Sequence, residues 1–192
     1  MFEYHAALMS AEIRVKGTVL AGIVRASGAH TAGPVRDALL ERLTGDLRLA
    51  VETNSLMPTV WYPVAWHREL LAFVRDQGGR TKLEETIRHT TRDTVSTVHR
   101  LLMRAFSPDM LMTRTARIFS TFFEGRCDAS LRSPGFTVVR WSECRGFDAN
   151  CWAAQLHTVD ELVSMTGVKS FQRTVLDGGR NGDTSMGIEI HW

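Results

Sequence analysis

His67, His99, Cys127, Cys144 and Cys151 have the widest chemical repertoire in this chain. Imidazoles and thiolates ligate metals, and both serve as bases or nucleophiles. Their spacing narrows the choice. Six residues separate Cys144 from Cys151, whereas a structural zinc site pairs ligands two to four residues apart and needs four of them. Nothing in the spacing recruits Cys127 or His157 to complete a set. Free thiols and no metal site are the expectation. His67 follows Trp61-Tyr62-Pro63 on a helix beside Trp66, and His99 sits on the flank of a long helix's apolar stripe. Either supplies the type of nitrogen that haem iron takes. A lone helical histidine is more often a core or surface residue, so the expected cofactor is none, with haem as the alternative.

Other reaction signatures are absent. There is no Gly-x-Ser-x-Gly elbow, no Gly-x4-Gly-Lys-Ser/Thr loop and no Gly-x-Gly-x-x-Gly. The segment 177–183 has glycines and carboxylates but lacks the acidic series of a calcium loop, and reads as a flexible hairpin loop. Arg88 with Arg92, and Arg100 with Arg104, share helix faces. Glu84, Glu85 and Asp93 are interleaved with them and the net charge is only +2, which favours a solvated face over a nucleic-acid surface. Most of the large aromatics, including Phe119, Phe122, Phe123, Trp141 and Trp152, read as core. Trp61 and Tyr62 differ, because they lie in a Pro-flanked loop where aromatics favour binding. Together with Trp66 and His67 they form the candidate ligand or partner site.

The elements that must position these residues follow from period and punctuation. Ile13 to Leu20 reads as a strand, bent at Gly22 and continued by Ile23-Val24. Residues 27–33 form a small-residue loop, Pro34 opens a helix, and Gly45 ends it. Residues 46–54 form a short helical turn. Met57 to Pro63 is extended, since each proline holds its predecessor out of helix. A helix after Pro63 carries Trp66, Leu70, Phe73, Val74 and Gln77 and stops at Gly78-Gly79. A long helix spans about 83–106. Ser107-Pro108-Asp109 restarts a helix with the stripe Leu111, Thr115, Ile118, Phe122 and Phe123, which ends at Gly125. From Cys127 the period becomes that of strands: 128–132, a turn at 133–135, and 136–141. Asp148 caps a helix with the stripe Trp152, Leu156, Val159 and Val163, closed by Gly167. Last comes a hairpin, in which Met186, Ile188, Ile190 and Trp192 alternate with Ser185, Gly187, Glu189 and His191.

This order predicts an α+β fold, with helices packed on an antiparallel sheet and a C-terminal β-hairpin. No repeat or linker divides it, so one domain spans 1–192, with its core at about 12–192. A 44% hydrophobic content suits a soluble domain. No apolar run reaches the ~18 residues of a membrane span, and Met1 to His5 lacks the blocks of a signal peptide. The expected location is cytoplasmic.

Several blocks together carry a resemblance. They are Val15-Lys16-Gly17-Thr18-Val19-Leu20, Trp61-Tyr62-Pro63, Phe106-Ser107-Pro108-Asp109-Met110-Leu111, Phe122-Phe123-Glu124-Gly125, and Gly182-Asp183-x5-Glu189-Ile190-x-Trp192. From about Glu12 to Trp192 the chain resembles a paralogous domain of unknown function expanded in myxobacteria. That domain is similar to a superfamily of α+β ligand-binding domains of the vinyl-reductase type, haem-nitric-oxide-binding domains and transport-complex (TRAPP) subunits. The chain departs from it in two places. Gly178 and Met186 stand where members often carry cysteines, and the Tyr-x-Ser-x-Arg signature that holds haem propionates is missing. The resemblance implies a non-enzymatic sensory or interaction domain that binds a small apolar ligand and forms a homodimer or binds a partner protein. A haem or gas sensor, and a small enzyme, are the alternatives.

Overall fold

The computed structural model describes residues 12–94, 107–112 and 114–192. The sequence-based reading of His99, Arg100 and Arg104 lies outside those residues.

The chain enters on β1 (Arg14–Lys16), which pairs antiparallel with β2 (Trp61–Pro63), Val15 opposite Tyr62. The strand expected through Leu20 stops at Lys16, and α1 (Gly17–Ala26) follows. Gly17 is the reason. A Cβ there would stand 2.1 Å from the Met57 carbonyl oxygen, so only glycine brings the two backbones this close. The loop before β2 then takes up the first helical donors: Gly17 N–H donates to Val60 O (2.9 Å) and Thr18 N–H to Pro58 O (3.1 Å). Leu20, Ile23 and Val24 are buried at helical spacing. A short β-branched run satisfies both periods, and long-range contacts decide between them.

Pro34 opens α2 (Pro34–Arg42) as expected. Gly45 does not end that helix but begins α3 (Gly45–Glu52), because Leu43 is already extended. Arg36 closes the far end of α3, donating to the carbonyls of Val51 and Glu52 at 2.9 Å each. A cation suits the negative end of a helix.

Helix α4 (Val64–Thr94) breaks at Gly78-Gly79 without an intervening loop. Gly79 has φ 67° and ψ −151°, a region open essentially to glycine alone. The first arm carries buried His67, Leu70, Phe73 and Val74, and the second carries Leu83, Ile87, Thr90 and Thr91. Gly22 lets α1 lie against the second arm, since a Cβ there would meet the Thr90 methyl at 2.6 Å. Next comes the short helix α5 (Pro108–Met112), whose Met110 N–H donates to Ser107 Oγ (3.3 Å). Helix α6 (Thr115–Phe122) ends where Phe123 bridges to Val15. Glu124 is bound there by Arg14 through its backbone N–H and its Nε, both at 2.8 Å.

Strands β3 (Arg126–Ser133), β4 (Phe136–Ser142), β5 (Gln172–Gly178) and β6 (Met186–His191) form an antiparallel sheet in the order β3-β4-β6-β5. The register sets Trp141 opposite Met186, Val139 opposite Ile188 and Thr137 opposite Ile190, and all six are buried. Met186, Ile188 and Ile190 are buried as expected, whereas Trp192 is half-buried and Gly187, expected toward water, is buried as well. Helix α7 (Ala149–Met165) begins at Asp148, whose Oδ1 accepts from Cys151 N–H at 2.8 Å. The 177–183 loop is anchored: Asn181 Oδ1 accepts from Ala149 N–H (2.8 Å), capping the same helix. Helix α7 packs along both arms of α4. Its Asn150 receives Arg75 from the first arm (2.8 Å), and its Glu161 receives Arg88 and Arg92 from the second. The architecture is α+β, with helices backing antiparallel strands.

Candidate ligand cavity

Helices α1 (through Val19), α4, α6 and α7 meet strand β4 around a cavity of about 100 Å³. Helix α6 is amphipathic and turns Thr115, Ile118, Phe119 and Phe122 toward it, with Phe123 at its end. The second arm of α4 contributes Ile87, Thr90 and Thr91; α7 contributes Gln155, Val159 and Leu162; β4 contributes Trp141. The first arm of α4 supplies His67. The wall is mostly aliphatic and aromatic with a few neutral polar groups, the usual character of a small-molecule site. As it stands the space suits a small molecule. A ligand as large as a porphyrin requires the helices to part.

His67 is the ionisable side chain in this wall. It is 1% exposed, stands edge-on to Phe123 with ring centres 5.6 Å apart, and has Nδ1 at 3.5 Å from Cys151 Sγ. Burial pushes its pKa down to about 4, against a smaller opposing pull from Asp148. At neutral pH the ring is an uncharged imidazole, the form that ligates metals. Burial also holds the Cys151 thiol well above its usual pKa, and pushes Cys127 and Cys144 up to about 12. All three cysteines are free thiols. No group of three or more His, Cys, Asp or Glu side chains placed to hold a metal ion occurs among the described residues.

An ionic cluster joins the second arm of α4 to α7. Glu161, 2% exposed, accepts from Arg92 Nη2 at 3.1 Å and from Arg88 Nη1 at 3.3 Å. Arg92 Nε reaches its other oxygen, and Arg88 Nε also donates to Glu84 (2.9 Å). The expectation of a solvated basic face is met only in part, because this pair reaches inward to a buried carboxylate. Asp160 is gripped by the Nε (2.7 Å) and Nη2 (3.0 Å) of Arg173.

Of the four residues singled out by sequence, only His67 lines the cavity. Trp61, Tyr62 and Trp66 gather elsewhere: Tyr62 stacks on Trp66 at 4.9 Å, Lys16 Nζ lies 4.3 Å from the Trp61 ring centre, and Tyr62 Oη accepts from Met57 N–H at 3.0 Å. Met57 and Val60 beside them are exposed. The cavity residues that sequence reasoning assigned to the core are Phe119, Phe122, Phe123 and Trp141. The dense aromatic spacing on α6 was their signal. No helix among the described residues is long and apolar enough to cross a membrane.

No family model and no curated protein matches the sequence, so the finer resemblance to the myxobacterial domain rests on its motifs alone. Solved structures do match. A Fe(II) unliganded H-NOX (haem-nitric-oxide-binding) protein from K. algicida superimposes with a TM-score of 0.66 at 10% identity, covering 92% of this chain and 95% of that one. An H-NOX domain from Shewanella oneidensis in the Fe(II)CO state gives 0.61 at 13%, covering 92% and 97%. A protein solved to follow haem redox potential through porphyrin distortion gives 0.65 at 12%, covering 92% and 99%. The expectation of no cofactor is corrected by these likenesses, since the proteins that share this architecture carry haem. Of the superfamily branches the sequence resembles, the haem-nitric-oxide-binding one is matched in fold: the chain has the α+β architecture of an H-NOX domain.

Proposed function

We propose that the chain is a haem-based sensory domain for a small gaseous ligand. This was the alternative reading of the sequence, and it now has better support than an apolar-ligand domain without a cofactor. The observation that carries it is His67, a buried and uncharged imidazole in the wall of an aromatic cavity, within an architecture shared with haem proteins. The donor set fits haem. His67 offers a neutral ring nitrogen, with Nδ1 engaged by Cys151 in the manner of an orienting second partner. Phe119, Phe122, Phe123 and Trp141 supply apolar surface for a macrocycle. Haem, when bound, supplies the iron on which a diatomic gas is held. The chain's own part is to exclude water and to orient the imidazole.

The test is reconstitution of the purified protein with haem. A Soret band that is lost or displaced in His67→Ala supports the reading, and His99→Ala asks the same of the other histidine. Failure of the wild-type chain to take up haem overturns it.

The aromatic cluster at Trp61, Tyr62 and Trp66 is a second, separate surface. Exposed Met57 and Val60 beside it favour contact with a partner protein or a second copy.

A further inference from the structure

The polar groups in the cavity wall are not all alike. Thr91 and Thr94 turn their hydroxyls onto carbonyls of their own helix, donating to Ile87 O (2.9 Å) and Thr90 O (2.8 Å). Thr115 donates to Leu111 O (3.4 Å). Gln155 has no such outlet. It lies in the middle of α7, lines the cavity and is 5% exposed, yet its amide makes no hydrogen bond to any described residue. Thr158, three residues on and on the same helix face, is half-buried in the same wall, its hydroxyl also unpaired among the described residues. Buried amides in native proteins are nearly always paired, so this one marks a place where a partner is due. That partner is not an ion. No Asp, Glu, Lys or Arg stands among the described lining residues, and His67 is uncharged at neutral pH. A charged molecule would give up its hydration here with no opposite charge to replace it.

We infer that the haem-free cavity is a binding site for a small neutral molecule of about one ring, whose hydroxyl or amide group pairs with the Gln155 amide. That amide both gives and takes hydrogen bonds, so it matches a group that does the same. The apolar body of the molecule lies against the aromatic wall. An apolar cavity of roughly 150 Å³ holds benzene. This one, of about 100 Å³, is left open by half-buried Ile118, Phe122 and Thr158 in its wall, so the outer edge of a ring sits at the rim. The site needs neither iron nor charge and goes beyond the haem-based function proposed above.

Nuclear magnetic resonance titrations of the haem-free protein test it, with phenol, toluene and benzoate as probes. Water holds the phenol hydroxyl, so a pocket without a polar partner prefers toluene. The wild type is expected to bind phenol at least as tightly as toluene, with the Gln155 side-chain amide resonances moving. Benzoate is expected to bind more weakly than phenol by about tenfold or more. In Gln155→Met, which keeps the side-chain length, phenol weakens roughly tenfold and toluene does not. Preference of the wild type for toluene, or unchanged phenol affinity in Gln155→Met, overturns the site. So does benzoate bound as tightly as phenol. Should Gln155→Met not fold, the wild-type ratio and the Gln155 resonances decide alone. Phenol left unbound by a chain that takes up haem overturns this site only, and haem refused by a chain that binds phenol overturns only the haem-based function.

Discussion

The Nδ1 of His67 and the Sγ of Cys151 meet at 3.5 Å across the contact between α4 and α7, and both groups are buried and uncharged. The pair joins the floor of the cavity to the first turn of the helix that walls it. Its chemistry makes the domain sensitive to acid.

The folded pKa of His67, about 4, lies below its ordinary 6.5. Between those values the unfolded chain binds the proton and the folded one does not. The histidine's contribution is therefore complete above pH 6.5, and is lost as the pH falls through that window to about 4. The loss amounts to about 3 kcal/mol. Urea midpoints measured from pH 7 to 4.5 are expected to fall steeply for the wild type and much less for His67→Asn. Parallel curves for the two proteins would show that another group sets the acid limit.

Two glycines pack too closely for any side chain, and to different degrees. Gly17→Ala places a methyl against the Met57 carbonyl, which is backbone and cannot yield, whereas Gly22→Ala presses on the Thr90 methyl. Chemical denaturation is expected to show losses of about 3 kcal/mol for the first and about 1–2 for the second. The reverse order would place the entry to α1 differently.

Helix α7 is capped twice, by Asp148 from its own chain start and by Asn181 from the hairpin loop. Each alanine replacement should cost about 1 kcal/mol. Hydrogen exchange at Ala149 should quicken in Asn181→Ala, and at Cys151 in Asp148→Ala. Unchanged exchange at Ala149 in Asn181→Ala would mean that the loop does not sit on the helix in solution.

Trp61 lies away from the cavity wall. Trp61→Ala is expected to leave haem uptake unchanged while weakening self-association or partner binding, as read by sedimentation. Loss of haem uptake in this variant would tie the two surfaces together.

Much of the fold is legible from local chemistry. Asp148 caps where a short acceptor side chain precedes an apolar stripe, Ser107 restarts a helix, and the last strand buries Met186, Ile188 and Ile190 on one face. Gly17 is the opposite case. Its neighbours Val15, Val19 and Leu20 satisfy both a strand and a helix, and the deciding contact, Met57 O, lies forty residues downstream. Of the four residues grouped by sequence, His67 lines the cavity and Trp66 does not. Adjacent residues on a helix point about 100° apart, so Trp66 turns to the outer cluster while His67 turns inward. The rest of the cavity comes from five elements, α1, α4, α6, β4 and α7, that no sequence window spans. The expectation of no cofactor leans on the missing propionate signature, a local motif, whereas the likeness to haem proteins lies in an architecture shared at 10–13% identity.

The kink at Gly78-Gly79 has an architectural consequence. A straight rod of 31 residues would extend about 46 Å, well beyond the width of a small domain. Kinked at the glycine pair, one continuous stretch of polypeptide supplies both the imidazole and the Ile87, Thr90 and Thr91 wall, yet each half keeps its own rotational phase. Deleting a single residue between 80 and 86 would swing the Ile87, Thr90 and Thr91 wall by about 100° and leave His67 seated, so the two arms set opposite parts of the pocket separately.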